Sequence, residues 1–223
     1  MAHGHSTKEA ISRIVSELEK RIIFGSLLPR QRLYEDEFIA YFNTKRHIVR
    51  GALEDLERRG IVERIPNRGS VVCFFSRQEV EDLYTVRAIL HEAGAKLIKL
   101  PASPDWLDEL RAAQRQHSKA VARNDILQVY EANSLFHQKL YQGTGNAFLV
   151  EAIENSNAKT HGIRSHGLGS PKLLQRAEAE HLAMIEAVEA GDLDTLAKLC
   201  IAHMQPARKF YEEKYIAPIS FPD

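Results

Sequence analysis

The chain has 223 residues, 44% hydrophobic and 27% charged, and no net charge with histidine counted neutral. This balance argues against disorder and for a globular protein, and charges break every apolar stretch before the run of about 18 that a membrane span requires. Its two cysteines, Cys73 and Cys200, are too far apart to suggest a disulfide framework. The amino terminus, MAHGHSTKEA, lacks the apolar core of a signal peptide, so the cytoplasm is the expected compartment.

From about Lys8 to Phe24, Ile11, Ile14, Leu18 and Ile22 recur at helical spacing and predict an amphipathic helix. Residues 35–69, EDEFIAYFNTKRHIVRGALEDLERRGIVERIPNRG, say the most about function. A helix patterned by Phe38, Ile39 and Phe42 meets a polar break at Asn43, Thr44 and Lys45. A second helix, patterned by Ile48, Val49, Ala52, Leu53 and Leu56, follows and ends at Gly60, which suits a left-handed cap. Two extended runs, 61–65 and 70–74, flank the turn Pro66-Asn67-Arg68-Gly69 and predict a β-wing. Lys45, Arg46 and His47 open the second helix, Arg50 lies one turn on, and Arg68 sits at the wing tip, so each can reach a phosphate or a base edge of double-stranded DNA. A solvated helical face beside an ordinary hairpin is the alternative. Charge splits modestly at a boundary near Ser76: residues 1–76 carry 13 Lys or Arg against 10 Asp or Glu, and the remainder 17 against 20, which permits a DNA partner without demanding one.

Beyond Ser76, expected to cap the next helix, periodicity predicts helices at about 77–99, 104–123, 125–142, 146–165, 171–190 and 192–214. Their short connections favour antiparallel neighbours. The fold class expected is mainly α: an N-terminal winged helix-turn-helix in residues 1–76 and an antiparallel all-α bundle of about six helices in 77–223. Within the bundle, His137, His181 and His203 each fall on a core-facing stripe of a different helix. Neutral imidazoles converging from facing helices can share a divalent metal, and Asn133, one turn before His137, can add an oxygen. Core histidines hydrogen-bonded to their neighbours are the alternative. Three histidines around an exchangeable site also describe a metal-dependent enzyme, but no general base accompanies them, since Glu180 beside His181 points off the inward stripe.

These residues carry a resemblance. The run from Phe24 to Gly69, with GSLLP before the motif and LEDLERRGIVERIPNRG at its end, resembles the winged helix-turn-helix of the GntR family of bacterial transcription regulators. VRAILHEAGAKL, NSLFHQKLYQGTGN, EHLAMIEAVEAGD and a late AHM resemble the FCD ligand-binding domain of its FadR branch, and six bundle helices its VanR-type subgroup. The resemblance implies DNA contacts by Arg46 and Arg50 with His47 between them, and a wing tip at Gly69 that enters the minor groove. It implies a divalent metal, zinc or nickel, at positions matching Asn133, His137, His181 and His203, with Asn133 standing where the family carries Asp. Arg87 matches an arginine that faces the effector cavity, where its fork could hold a carboxylate; a surface ion pair with Glu92 is the alternative. The chain departs from the family at Asn43 for Gly, Lys45 for a small residue, Ile48 for Pro or Thr, and Asp36 for a basic residue, so an operator sequence does not carry over. The activity implied is that of a non-enzymatic, homodimeric repressor on a pseudo-palindromic operator, released by a small carboxylate; a regulator that senses the metal itself is the alternative.

Overall fold

A computed structural model describes residues 2–216. By internal packing the chain divides into two compact units: residues 1–75 with 158–162, and residues 76–157 with 163–223.

The first unit starts with α1 (Ala2–Ile23), then β1 (Arg32–Leu33), α2 (Glu35–Phe42), α3 (Arg46–Arg58), β2 (Val62–Ile65) and β3 (Gly69–Val72). Ile14, Leu18 and Ile22 of α1 pack with Val49, Ala52, Leu53 and Leu56 of α3 and with Val62 and Val72 of the strands, all 2% exposed or less. Apolar residues at helical spacing thus become one dry seam, the dominant favourable contribution to folding. Asn43 breaks α2 from α3 in the left-handed region at φ 45°, and Gly60 closes α3 there at φ 69°. Asparagine tolerates that region and glycine enters it without steric cost. The strands form an antiparallel sheet in the order β1-β3-β2, with Val62 opposite Val72 and Ile65 opposite Gly69. The two-residue β1 is an addition to the helix-turn-helix and hairpin read from the sequence.

The second unit holds α4 (Arg77–Lys96), α5 (Pro104–Ala122), α6 (Ile126–Gln142), α7 (Ala147–Lys159, ending in residues of the first unit), α9 (Pro171–Glu189) and α10 (Leu193–Tyr211). Between α7 and α9 lie the four-residue α8 (His161–Arg164) and a 3-10 turn, Ser165–Gly169. The single helix expected over 146–165 is instead two, with the break at Thr160, because residues 158–162 pack into the first unit, where a Cβ at Gly162 would stand 2.7 Å from the Gly60 carbonyl oxygen. Caps agree with the sequence: Ser76 and Glu79 form a reciprocal capping box on α4, and Ser103, Asp125 and Asp192 each accept a backbone N–H of the helix they start. The core is built on Leu110, Phe136, Leu140, Tyr141, Met184, Val188, Leu196 and Cys200. Cys73 and Cys200 are both free thiols, and burial raises them to about 12 and about 11. Among the described residues, no helix is long and apolar enough to cross a membrane.

Candidate DNA-binding face and three-histidine cluster

On the first unit, burial of Ile48 and Val49 turns Lys45, Arg46, His47 and Arg50 outward at the start of α3. Arg68 and Gly69 are exposed at the hairpin turn, where Gly69 has φ 76° and no heavy atom within 4 Å of where a Cβ would stand. The arginines of α3 have partners: Glu35 accepts from both Arg46 and Arg50, and Asp36 from Arg46.

Within the second unit, α6, α9 and α10 bring His137, His181 and His203 together. Their Nε2 atoms face one another, His203 to His137 at 3.2 Å and to His181 at 3.3 Å. The other ring nitrogens fix the tautomers. His181 Nδ1 lies 2.8 Å from the Gln114 amide oxygen and His203 Nδ1 lies 2.7 Å from Glu180 Oε2. Both oxygens accept, so both Nδ1 atoms donate, and two bare Nε2 lone pairs confront each other at 3.3 Å. With both rings neutral that contact is repulsive; a proton on one of them or a metal ion between them removes the repulsion. Nitrogens bound to one tetrahedral ion at about 2.0–2.1 Å stand roughly 3.3–3.4 Å apart, so the two spacings to His203 suit a divalent metal, and all three ligand atoms lie within 4.8 Å of one another. Burial drives His137 and His181 well below the usual imidazole range and keeps them in the neutral, ligating form. Burial works to raise the Glu180 carboxyl, but hydrogen bonds from His203 and Arg176 outweigh it and hold the group below its usual range, as an anion. The reading of Glu180 as pointing away from the histidines is corrected: its carboxylate orients His203.

The cluster opens on a cavity of about 90 Å³, lined among others by Asn133, Arg87, His117, Arg164 and Glu180. Asn133 thus shares the cavity with His137 and His203. Arg87 is 4% exposed, which replaces the surface ion pair with Glu92 as its alternative reading. Its Nε donates to Asn157 Oδ1 at 3.2 Å, its guanidinium lies 5.0 Å from the centre of the Tyr84 ring, and its buried Nη1 has no hydrogen-bond partner. Burial lowers it to about 10, so it remains a cation at neutral pH, with an amide but no carboxylate bonded to it. His117 Nδ1 is likewise buried without a partner. Gln114 and His117 share the buried stripe of α5 with Leu110, Ala113 and Ala120, so the same spacing could have found them, whereas Arg164 ends the four-residue α8, too short to show a period. His91 is also buried, between Tyr141 and Asn157, on the stripe of α4 that carries Val80, Tyr84 and Arg87, so the helical spacing marks it too.

The FCD domain family matches residues 82–206, and bacterial regulatory proteins of the gntR family match residues 10–72. The HTH-type transcriptional repressor RspR of Escherichia coli (strain K12) is 25% identical over 202 residues, covering 89% of this chain and 87% of its own. YdhC of Bacillus subtilis (strain 168), an uncharacterized HTH-type transcriptional regulator, is 22% identical over 189 residues and 84% of each chain. Two solved structures share the fold at TM-score 0.66 and 20% identity, each covering 92% of this chain and 98% of the other: a putative GntR transcriptional regulator from Rhodococcus sp. RHA1 and E. coli McbR/YncC. The chain therefore belongs to the GntR family of bacterial DNA-binding transcription regulators, in the FadR-like branch with an FCD domain, and is not an enzyme.

Proposed function

We propose that the protein is a homodimeric, cytoplasmic repressor released from its operator by a small carboxylate. Residues 1–76 bind a pseudo-palindromic DNA site through Lys45, Arg46, His47, Arg50, Arg68 and Gly69, and residues 77–223 bind the effector and a divalent metal. His137, His181 and His203 hold the ion, zinc or nickel, with Asn133 as an oxygen donor that adds no charge, so selection favours metals that accept imidazole well. The metal supplies a Lewis-acidic position for a carboxylate oxygen. The six long bundle helices support placement in the VanR-type subgroup, and the similarity to RspR, a transcriptional repressor, supports the direction of control.

One observation carries this reading. The cavity that His137 and His203 line is also lined by the buried Arg87 guanidinium, which has no bonded carboxylate and a buried Nη1 with no hydrogen-bond partner. A buried cation without a bonded carboxylate is costly, and an anion entering the cavity would lower that cost, while a metal held by the histidines would offer its other end a coordination position. A ligand confined to metal coordination leaves Arg87 unpaired, which favours a metabolite over the ion as effector. Preference of that anion for one of two states of the dimer lowers operator affinity about tenfold for each 1.4 kcal/mol of coupling.

Fluorescence anisotropy at physiological salt tests it, with labelled DNA from upstream of the protein's own gene and a scrambled duplex as control. Selective binding that a member of a carboxylate library reverses, with the reversal abolished by chelation or by Arg87→Met, is the expected result. Reversal by metal alone would replace the metabolite reading with a metal sensor, and reversal that survives chelation would remove the metal from the mechanism.

A further inference from the structure

Glu35 and Asp36 open α2 in its first turn, where negative charge suits the positive end of the helix dipole. Their side chains do more than that, because both reach α3. Glu35 accepts from Arg50 Nε through Oε1 at 3.1 Å and Oε2 at 3.0 Å, and Oε2 also takes Arg46 Nη1 at 3.1 Å. Asp36 Oδ1 takes the second terminal nitrogen of Arg46, Nη2.

The two arginines are held differently. Arg50 is gripped at its inner edge, Nε, which leaves outside the clamp the two terminal nitrogens that can pair with O6 and N7 of guanine. Arg46 is gripped at that terminal edge, with one carboxylate on each nitrogen. The Asp36 side chain is 80% exposed and the Glu35 side chain 27%, so the first stands at the outer rim and the second lies between the helices. Two cations and two anions also cancel where α3 would meet a polyanion. Exposed ion pairs contribute little to folding, so the quartet matters chiefly for what α3 can bind.

We propose that Glu35 is a positioning residue that fixes Arg50 for a bidentate base contact, and that Asp36 is a gate which Arg46 must leave before it engages DNA. The proposal rests on the reading that Arg46 and Arg50 face DNA. On any duplex, phosphates compete with Asp36 for Arg46 while repelling Asp36 itself. Only a sequence that offers base-edge acceptors to the displaced Arg46 and the braced Arg50 compensates fully. The acidic pair therefore lowers affinity for DNA in general more than for the operator.

The test uses the full-length protein, a duplex that the wild type selects from fragmented genomic DNA, and a scrambled version, titrated by anisotropy across a salt series. Asp36→Asn is expected to tighten binding to the scrambled duplex roughly threefold or more, to steepen its salt dependence by about one unit, and to narrow the ratio between the duplexes. Glu35→Gln also adds positive charge; it is expected to bind the scrambled duplex at least as tightly as wild type while losing discrimination, whereas simple damage to α2 would weaken both. Arg46→Ala separates the failures. If the wild type selects no duplex, or Arg46→Ala leaves binding to both duplexes unchanged, the DNA-face reading falls and this proposal with it. If Arg46→Ala weakens binding but Asp36→Asn keeps wild-type affinities and salt dependence, the face stands and the gate is overturned. Unchanged discrimination in Glu35→Gln overturns its positioning role.

Discussion

Glu180→Gln is the sharpest probe of the histidine cluster, because it changes a charge and leaves shape and volume nearly constant. Glu180 Oε2 receives the His203 Nδ1 proton at 2.7 Å and Oε1 receives Arg176 Nε at 2.6 Å. Gln keeps an oxygen that can accept from His203 but removes the negative charge that makes the opposite nitrogen, Nε2, a stronger donor to a metal. Loss of such an outer partner typically weakens metal binding about 10- to 100-fold, or roughly 1.4–2.7 kcal/mol. The Arg176 side chain is 53% exposed, so its lost ion pair adds little to the effect. Zinc affinity measured by competition with a chromogenic chelator should fall within that range, while His203→Ala, which removes the ligand itself, should fall further. Melting in excess EDTA should barely separate Glu180→Gln from wild type. Zinc affinity within about twofold of wild type would refute the argument that the carboxylate tunes His203, and wild-type affinity in His203→Ala would refute the site.

Three further outcomes follow from the second unit. Arg87→Met should raise the melting temperature of the ligand-free protein, because it replaces a buried cation that has no bonded carboxylate with an apolar chain, and should abolish stabilisation by the carboxylate effector; a lower melting temperature would show that Asn157 and Tyr84 already offset the burial of that charge. Alanine ordinarily improves a mid-helix glycine by about 1 kcal/mol, but a Cβ at Gly94 would stand 2.7 Å from Tyr141 Cδ1 and 2.9 Å from Ile153 Cδ1, so Gly94→Ala should destabilise by about 1–2 kcal/mol in urea titration, and a gain would refute the close packing. Burial holds His91 well below 6.5 and lowers His117 and His166 to about 4. Their unfolded counterparts take up protons as pH falls through about 6.5 while the folded ones do not, so stability falls with falling pH, by up to about 1.4 kcal/mol per pH unit for each histidine, down to about pH 4 for the last two. Urea midpoints measured in EDTA between about pH 7 and about pH 5 should show this slope, and a flat profile would contradict it.

Much of this was legible from spacing alone, and the losses have a common cause. Ile48, Val49, Ala52, Leu53 and Leu56 are all buried, as their periodicity required, and the same reasoning picked His137, His181 and His203 from three helices. Periodicity reports which way a Cβ points, not where a long side chain ends. Glu180 therefore looked misdirected although its carboxylate reaches a histidine on the next helix. Arg87 had a plausible surface partner in Glu92, five residues on, and only the packing of α4 decided that it is buried. The two residues of β1 are too few to show a period, and the break at Thr160 follows packing that no single-helix pattern encodes. The grip of Glu35 and Asp36 on α3 spans the turn at Asn43, so it too is a tertiary fact.

Residues 158–162 belong to the first unit although the chain on either side of them belongs to the second. Within that unit a Cβ at Gly162 would stand 2.7 Å from the Gly60 carbonyl oxygen, and His161 Nε2 lies 3.0 Å from Glu19 Oε1, a carboxylate with no solvent exposure whose other oxygen meets Arg59 at 3.3 Å. A cut after residue 75 would thus not release a finished reading head. It would strip from Glu19 one of its two bonded partners and open a seam shaped to glycine. Recombination that joins this head to a foreign bundle inherits the same defect unless five residues from the middle of the old bundle travel with it.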